Sequence, residues 1–115
     1  SSGLKAPLRM DNAAAIAKAH LMRGTLGLPG GQLVANPIPA AAEIPRDRIL
    51  PHIEAALIEA EAKGIAAKSV TPFLLQRIFE LTEGRSLASN IALVLNNARL
   101  AAQIAREIAD RTAKA

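Results

Sequence analysis

The chain has 115 residues, a formal net charge of +4, no cysteine and only two aromatic residues, Phe73 and Phe79. That length fits one domain or less. The lack of cysteine excludes disulfides and thiolate chemistry and suits a cytoplasmic protein. No apolar run reaches membrane-spanning length, so the mean hydropathy of +0.20 reflects alanine-rich helices. The fourteen Lys and Arg are scattered, without interleaved aromatics, and read as a solvated surface.

Residues 1–10 read as extended and irregular, with Pro7 disfavouring helix at Ala6. Ser1-Ser2-Gly3 reads either as a fusion remnant or as an opened loop. Asp11 or Asn12 caps a first helix from Ala13 to Arg23 or Leu26, and Gly24 and Gly27 are both plausible stops. Leu33-Val34-Ala35 then reads as a buried strand, set between Gly30-Gly31 and the prolines Pro37 and Pro39. A lone strand cannot satisfy its own backbone. Each buried group left unpaired costs on the order of 1–3 kcal/mol. No other segment offers a convincing partner strand. The fold class read from this is α/β, mostly helical with one strand, and part of a larger body.

After a small-residue connector, a second helix begins between Pro45 and Pro51, with a break or fresh start expected at Pro51. Ile49, Ile53, Leu57 and Ala60 form its apolar stripe. Glu59 and Lys63 are spaced for a weak surface pair, and Gly64 is a stop. Thr71 caps a third helix with Pro72 in its first position. Phe73, Leu74, Leu75, Ile78, Phe79 and Leu81 make that helix apolar around much of its girth, so burial on more than one side is expected. Gly84 ends it. Ser86 caps a fourth helix running to about Arg111, with Leu93, Leu100, Ile104 and Ile108 as its stripe and Thr112 to Ala115 fraying.

Three asparagines, Asn90, Asn96 and Asn97, lie in the middle of the fourth helix, where asparagine is a poor helix former. Asn90 and Asn97 are seven apart and share a face. Their amides either bond neighbouring loops or recognise a ligand, since one acceptor and two donor hydrogens match a nucleobase edge or a sugar hydroxyl. Asn36, where the strand ends, is either a turn former or a ligand contact. Gly30-Gly31 precede the strand and so do not form a phosphate loop. Lys68 is either solvated or placed to meet a phosphate near the third helix's N-terminus. His20 and His52 lack metal-ligand spacing. Asp11 reads as a cap, and Glu54, Glu59 and Glu61 as solvated. No set of nucleophile, base and orienting group can be assembled.

Several ordered motifs resemble the pseudouridine-5′-phosphate glycosidase (indigoidine synthase A-like) family. They are Ser2-Gly3 with Pro7-Leu8-Arg9-Met10-Asp11, Gly27 through Pro39, and Gly64-Ile65 with Lys68. Thr71-Pro72-Phe73-Leu74-Leu75, Glu80-Leu81-Thr82, Ser86-Leu87 with Ser89-Asn90-Ile91, Leu93-Val94 and Asn96-Asn97-Ala98 complete the set. The resemblance covers roughly residues 2 to 108 and concerns the family's C-terminal part only. It implies that residues 1–115 are the C-terminal segment of a single larger α/β domain, an α/β/α fold around a mixed central sheet. It implies a homotrimer that reversibly splits the C–C glycosidic bond of pseudouridine 5′-phosphate into uracil and ribose 5-phosphate. It further implies a divalent metal, usually Mn2+, a lysine forming a Schiff base with the opened ribose, a glutamate proton donor and an aspartate at the metal. Those groups belong upstream of this chain, so no catalytic or metal residue is assigned here.

By the same resemblance Asn90 faces the substrate, while Asn36, Lys68 and Thr71 have a wall-of-the-site or structural role. The implied partner is the protein's own N-terminal portion, in the same chain or as a second chain cut at a loop before Ser1. No nucleic acid and no membrane are implied. Two departures concern local geometry: Glu83 stands in what is commonly a Gly-Gly turn, and Asn12 where Ser or Thr is frequent. A different class of reading is a small basic helical nucleic-acid-binding module, in which the third and fourth helices imitate a helix-turn-helix. Against it, the start Leu87-Ala88-Ser89-Asn90-Ile91 carries no basic residue.

Overall fold

A computed structural model describes residues 4–113; Ser1-Ser2-Gly3, Lys114 and Ala115 lie outside the described residues. Among those described there are four α-helices and one short 3-10 turn: α1 (Ala13–Thr25), η1 (Ala40–Ala42), α2 (Arg46–Ala62), α3 (Ala67–Leu81) and α4 (Arg85–Ala113). They group into two compact units. One runs up to Pro37 and resumes from Val94, and the other is Ile38–Leu93.

In the first unit, Asn12 is the cap of α1: its side-chain oxygen accepts the Ala15 N–H at 2.8 Å. The helix stops at Gly27, which takes φ +66°. There the Leu28 N–H donates to the Arg23 carbonyl and the Gly27 N–H to the Gly24 carbonyl, the paired closure of a Schellman turn. The Arg23 guanidinium donates to the Pro29 carbonyl at 2.8 Å and latches the segment that follows. Ile16 and Ala17 are the buried apolar residues of α1.

The expected strand is not there. Among the described residues no segment forms a strand or sheet, so the α/β reading with a mixed central sheet is corrected to an all-helical structure. Leu33, read as buried, is 96% exposed. The physical reason is that a run of three apolar residues does not by itself specify a ladder. Pro29, Pro37 and Pro39 remove N–H donors around it, and its remaining backbone groups are open to water.

In the second unit, α2 and α3 form a helical hairpin joined by residues 63–66. Ala56 and Ala60 are buried, and such small side chains let two helices approach closely. Ile49 and Ile53 are half-buried on the same stripe, but Leu57 points to solvent, so the seam runs 49, 53, 56, 60. Glu59 does not pair with Lys63. It accepts from the Arg77 Nε at 2.8 Å across the hairpin, while Lys63 Nζ sits 5.4 Å from the Phe73 ring centroid. Glu59, then Glu80, hold the Arg77 guanidinium above its ordinary value by accepting its hydrogen bonds. Gly64, at φ +62°, closes α2 with the same Schellman pairing, from Ile65 to Ala60 and from Gly64 to Glu61.

Three further expectations need correcting. The helix α2 runs through Pro51 without a break. The helix α3 begins at Ala67, with Ala66 at the cap position, so Thr71 is a helical residue and Pro72 lies inside the helix. Each proline leaves only the carbonyl four residues earlier without its N–H partner, a local loss that hairpin packing overrides. No α3 residue is buried, because this chain supplies α2 as its only packed helical neighbour among the described residues.

The turn from α3 to α4 is built by Thr82, not Ser86. The buried Thr82 hydroxyl donates to the Ile78 carbonyl at 2.7 Å and accepts the Ser86 N–H at 3.1 Å, so one side chain closes α3 and caps α4. Glu83 then takes φ +54°, the left-handed region that glycine usually fills. The α4 stripe of Leu93, Leu100, Ile104 and Ile108 is half-buried as expected, and Thr112 is still helical, its hydroxyl donating to the Ile108 carbonyl.

Candidate functional site

The amides of α4 divide into two groups. In the first unit, the Asn36 Nδ2 donates to the Asn97 Oδ1 at 3.2 Å, and the Asn96 Nδ2 donates to the Pro37 carbonyl at 3.2 Å. Two consecutive helical asparagines therefore clamp two consecutive residues of the extended segment. The clamp explains why poor helix formers are held mid-helix: their side chains satisfy a passing segment that lacks a ladder of its own. Asn36, half-buried, keeps its own oxygen and one N–H beyond the bond to Asn97. Asn96 and Asn97, read with two alternatives, take the loop-binding one.

Asn90 stands two helical turns before Asn97 on nearly the same face, about 10 Å along the axis. It is exposed, and among the described residues its carboxamide makes no hydrogen bond. Its neighbour Ser89 is buried, and the Ser89 Oγ donates to the Ala42 carbonyl at 2.5 Å. That bond ties η1 to α4 one residue before the exposed Asn90. Ser89 was not read from sequence as the residue that ties η1 to α4; its one sequence signal is a small polar residue three after Ser86 on the inward face of the helix.

Lys68 and Thr71 are both exposed in the first two turns of α3. The structure brings together Asn36 and Asn97 by a bond; Lys68, Thr71 and Asn90 are not joined by hydrogen bonds to one another. A separate pocket of about 460 Å³ lies in the second unit. Ile44, Asp47, Arg48, His52, Thr82 and Arg85 are among its lining residues, and it contains none of the four candidates. Among the described residues no three His, Cys, Asp or Glu side chains come together. No helix among them is long and apolar enough to cross a membrane. Helix α4 starts at Arg85, two residues before the start read from sequence, but Leu87 and Ile91 still put exposed apolar side chains where a recognition helix needs polar ones.

The groups so placed are uncharged amides: Asn36, Asn96 and Asn97 are held by hydrogen bonds, and Asn90 is open. Known proteins similar to this chain are longer than it is. The chain is 70% identical over 108 residues to the pseudouridine-5′-phosphate glycosidase of Paracoccus denitrificans (strain Pd 1222), covering 94% of this chain and 36% of that relative. It is 68% identical over 107 residues to that of Jannaschia sp. (strain CCS1), covering 93% and 35%. The corresponding protein of Roseobacter denitrificans is 62% identical over 107 residues, with 93% and 34% covered. The chain thus spans about a third of the length of the curated relatives it matches. Residues 1–107 match the family described as indigoidine synthase A like protein, and the chain belongs to that family.

Proposed function

We propose that this chain is the C-terminal part of a pseudouridine-5′-phosphate glycosidase. The observation that carries the proposal is 70% identity over 94% of the chain to a relative of that name. The reaction is reversible cleavage of the C–C glycosidic bond of pseudouridine 5′-phosphate to uracil and ribose 5-phosphate. In this reading the Schiff-base lysine, the glutamate proton donor and the aspartate at a divalent metal, manganese, lie in the rest of the polypeptide. A homotrimeric assembly and a cytoplasmic location belong to the same proposal.

The part assigned to this chain is recognition. Asn90 offers its carboxamide to the uracil edge, which presents donors and acceptors in a plane that an amide can match, or to a hydroxyl of the reacting ribose, which both donates and accepts. Asn96 and Asn97 hold the 36–37 segment, so that Asn36 forms part of the wall. Lys68 and Thr71 have a supporting role on α3. A positioned hydrogen bond of this kind contributes most when the site excludes water, which requires the rest of the protein around it.

The test is turnover of pseudouridine 5′-phosphate by the full-length polypeptide, with uracil and ribose 5-phosphate as the measured products. Asn90→Ala is expected to lower kcat/KM by 10- to 100-fold, the effect of losing about 1.5–3 kcal/mol of hydrogen bonding. The 115-residue chain alone is expected to turn over nothing. Full activity from the isolated chain, or unchanged kinetics in Asn90→Ala, would overturn the assignment.

A further inference from the structure

Helix α4 has one uninterrupted apolar side, and it faces outward, opposite a side of mixed polar and apolar residues. At about 100° per residue, Ser86, Ser89, Leu93, Asn96, Leu100 and Ile104 fall on one side, and all are buried or half-buried. Leu87, Ile91, Val94, Leu95, Ala98 and Ala102 fall on the other, within about 100° of arc, and all are exposed. The four large ones are between 49 and 57% exposed. No charged residue interrupts this outward side; Arg85, Arg99, Arg106 and Asp110 line up along one flank instead. A helix whose apolar side is the exposed one is left without the surface that such a side normally packs against.

We infer that the outward face of α4 is a docking surface, and that its occupant is an apolar surface supplied by the other two thirds of the polypeptide present in proteins of the relatives' length. The length argument selects this occupant over a second copy: the relatives carry about twice as much chain again as is present here. An uncharged face also demands an uncharged partner, since a buried unpaired charge is costly. The inference rests on the reading of this chain as part of a longer polypeptide and is independent of the reaction.

Helix α4 holds no cysteine, so a single cysteine placed on it is the one thiol of its peptide. In the full-length protein, Ala98→Cys and Ala102→Cys are expected to react with a maleimide at least 100-fold more slowly than Arg99→Cys and Arg106→Cys on the flank. Rates are read by mass spectrometry of the α4 peptide. The protection should not change on tenfold dilution and should vanish in denaturant. Equal rates on face and flank would overturn the inference. Protection lost on dilution would also overturn it, by making a second copy the occupant. Hydroxyl-radical footprinting of the unsubstituted protein gives the same reading without a mutation: Leu87, Ile91 and Leu95 are expected to stay unoxidised, and oxidation at the unfolded rate would refute the proposal. A protein that protects these positions but splits no pseudouridine 5′-phosphate would sink the proposed reaction and leave this inference standing.

Discussion

Replacing Glu83 by glycine should stabilise the protein. Glu83 has φ +54°, the only positive φ of a non-glycine among the described residues. A residue with a Cβ pays roughly 1–2 kcal/mol for that conformation. Glycine removes this strain but gives back about 0.4–1 kcal/mol through the larger entropy of the unfolded chain. The net gain is therefore about 0.5–1 kcal/mol. Nothing else in the turn depends on the side chain. The Gly84 N–H donates to the Phe79 carbonyl and the Glu83 N–H to the Glu80 carbonyl, and the side-chain bonds of the turn come from Thr82, so none uses the Glu83 carboxylate. The assay is urea denaturation of the full-length protein followed by circular dichroism, with Glu83→Ala and Glu83→Asn beside Glu83→Gly. Strain predicts the order Gly above Asn above Ala, with Ala close to the parent. If Glu83→Ala stabilises as much as Glu83→Gly, removal of the carboxylate is responsible and the backbone argument is wrong.

Thr82→Ala should cost about 1–2 kcal/mol, because it removes the cap on the Ser86 N–H and empties a buried position, whereas Thr82→Ser should retain most of the stability in the same urea titration. Asn36→Ala and Asn97→Ala should be coupled by about 0.5–1 kcal/mol in a double-mutant cycle, and additive losses would mean that their hydrogen bond contributes nothing. Gln76, then Arg77, hold the Glu80 carboxyl below its ordinary value by donating to it. A carboxyl depressed in the folded state contributes stability above its unfolded value and loses it as pH falls through the folded one. Glu80→Gln should therefore weaken the protein at neutral pH and flatten the acid limb of a urea midpoint titration; parallel curves would refute this.

Helix α1, with its cap at Asn12 and stop at Gly27, was among the options legible in the sequence, as was the inward stripe of α4. Those features are local, decided by one cap, one glycine or one periodicity. The starts of α3 and α4 were misplaced because Thr71-Pro72 and Ser86 carry strong local signals that the hairpin and the Thr82 bridge override. The stripe on α2 slipped from Leu57 to Ala56 because a seam between close helices selects small side chains over large ones. The strand failed for a different reason. Leu33-Val34-Ala35 has the composition of a buried ladder, but burial is a property of neighbours, and the neighbours here are two asparagines of α4 that hold only the end of the segment.

The same asparagines connect the two proposals. Around α4, one seam between the covered and uncovered faces carries Arg99, Arg106 and Asp110, and the other carries Asn90 and Asn97. With the outward face docked against the rest of the polypeptide, the charged seam can stay in water, because full charges are costly to bury. The amide seam is neutral and can be enclosed at modest cost provided its donors and acceptors are met. Asn97 is already met by Asn36; Asn90 is not met by any described residue. A carboxamide left open at the edge of a docking face needs a partner from outside this chain, either a polar group of the remaining polypeptide or the substrate. Asn90→Asp separates the two. A carboxylate only accepts, so a substrate contact that needs an N–H donor loses turnover at unchanged stability. A structural contact loses stability instead, and a mutant that is destabilised but, once folded, turns over normally would remove Asn90 from the substrate site.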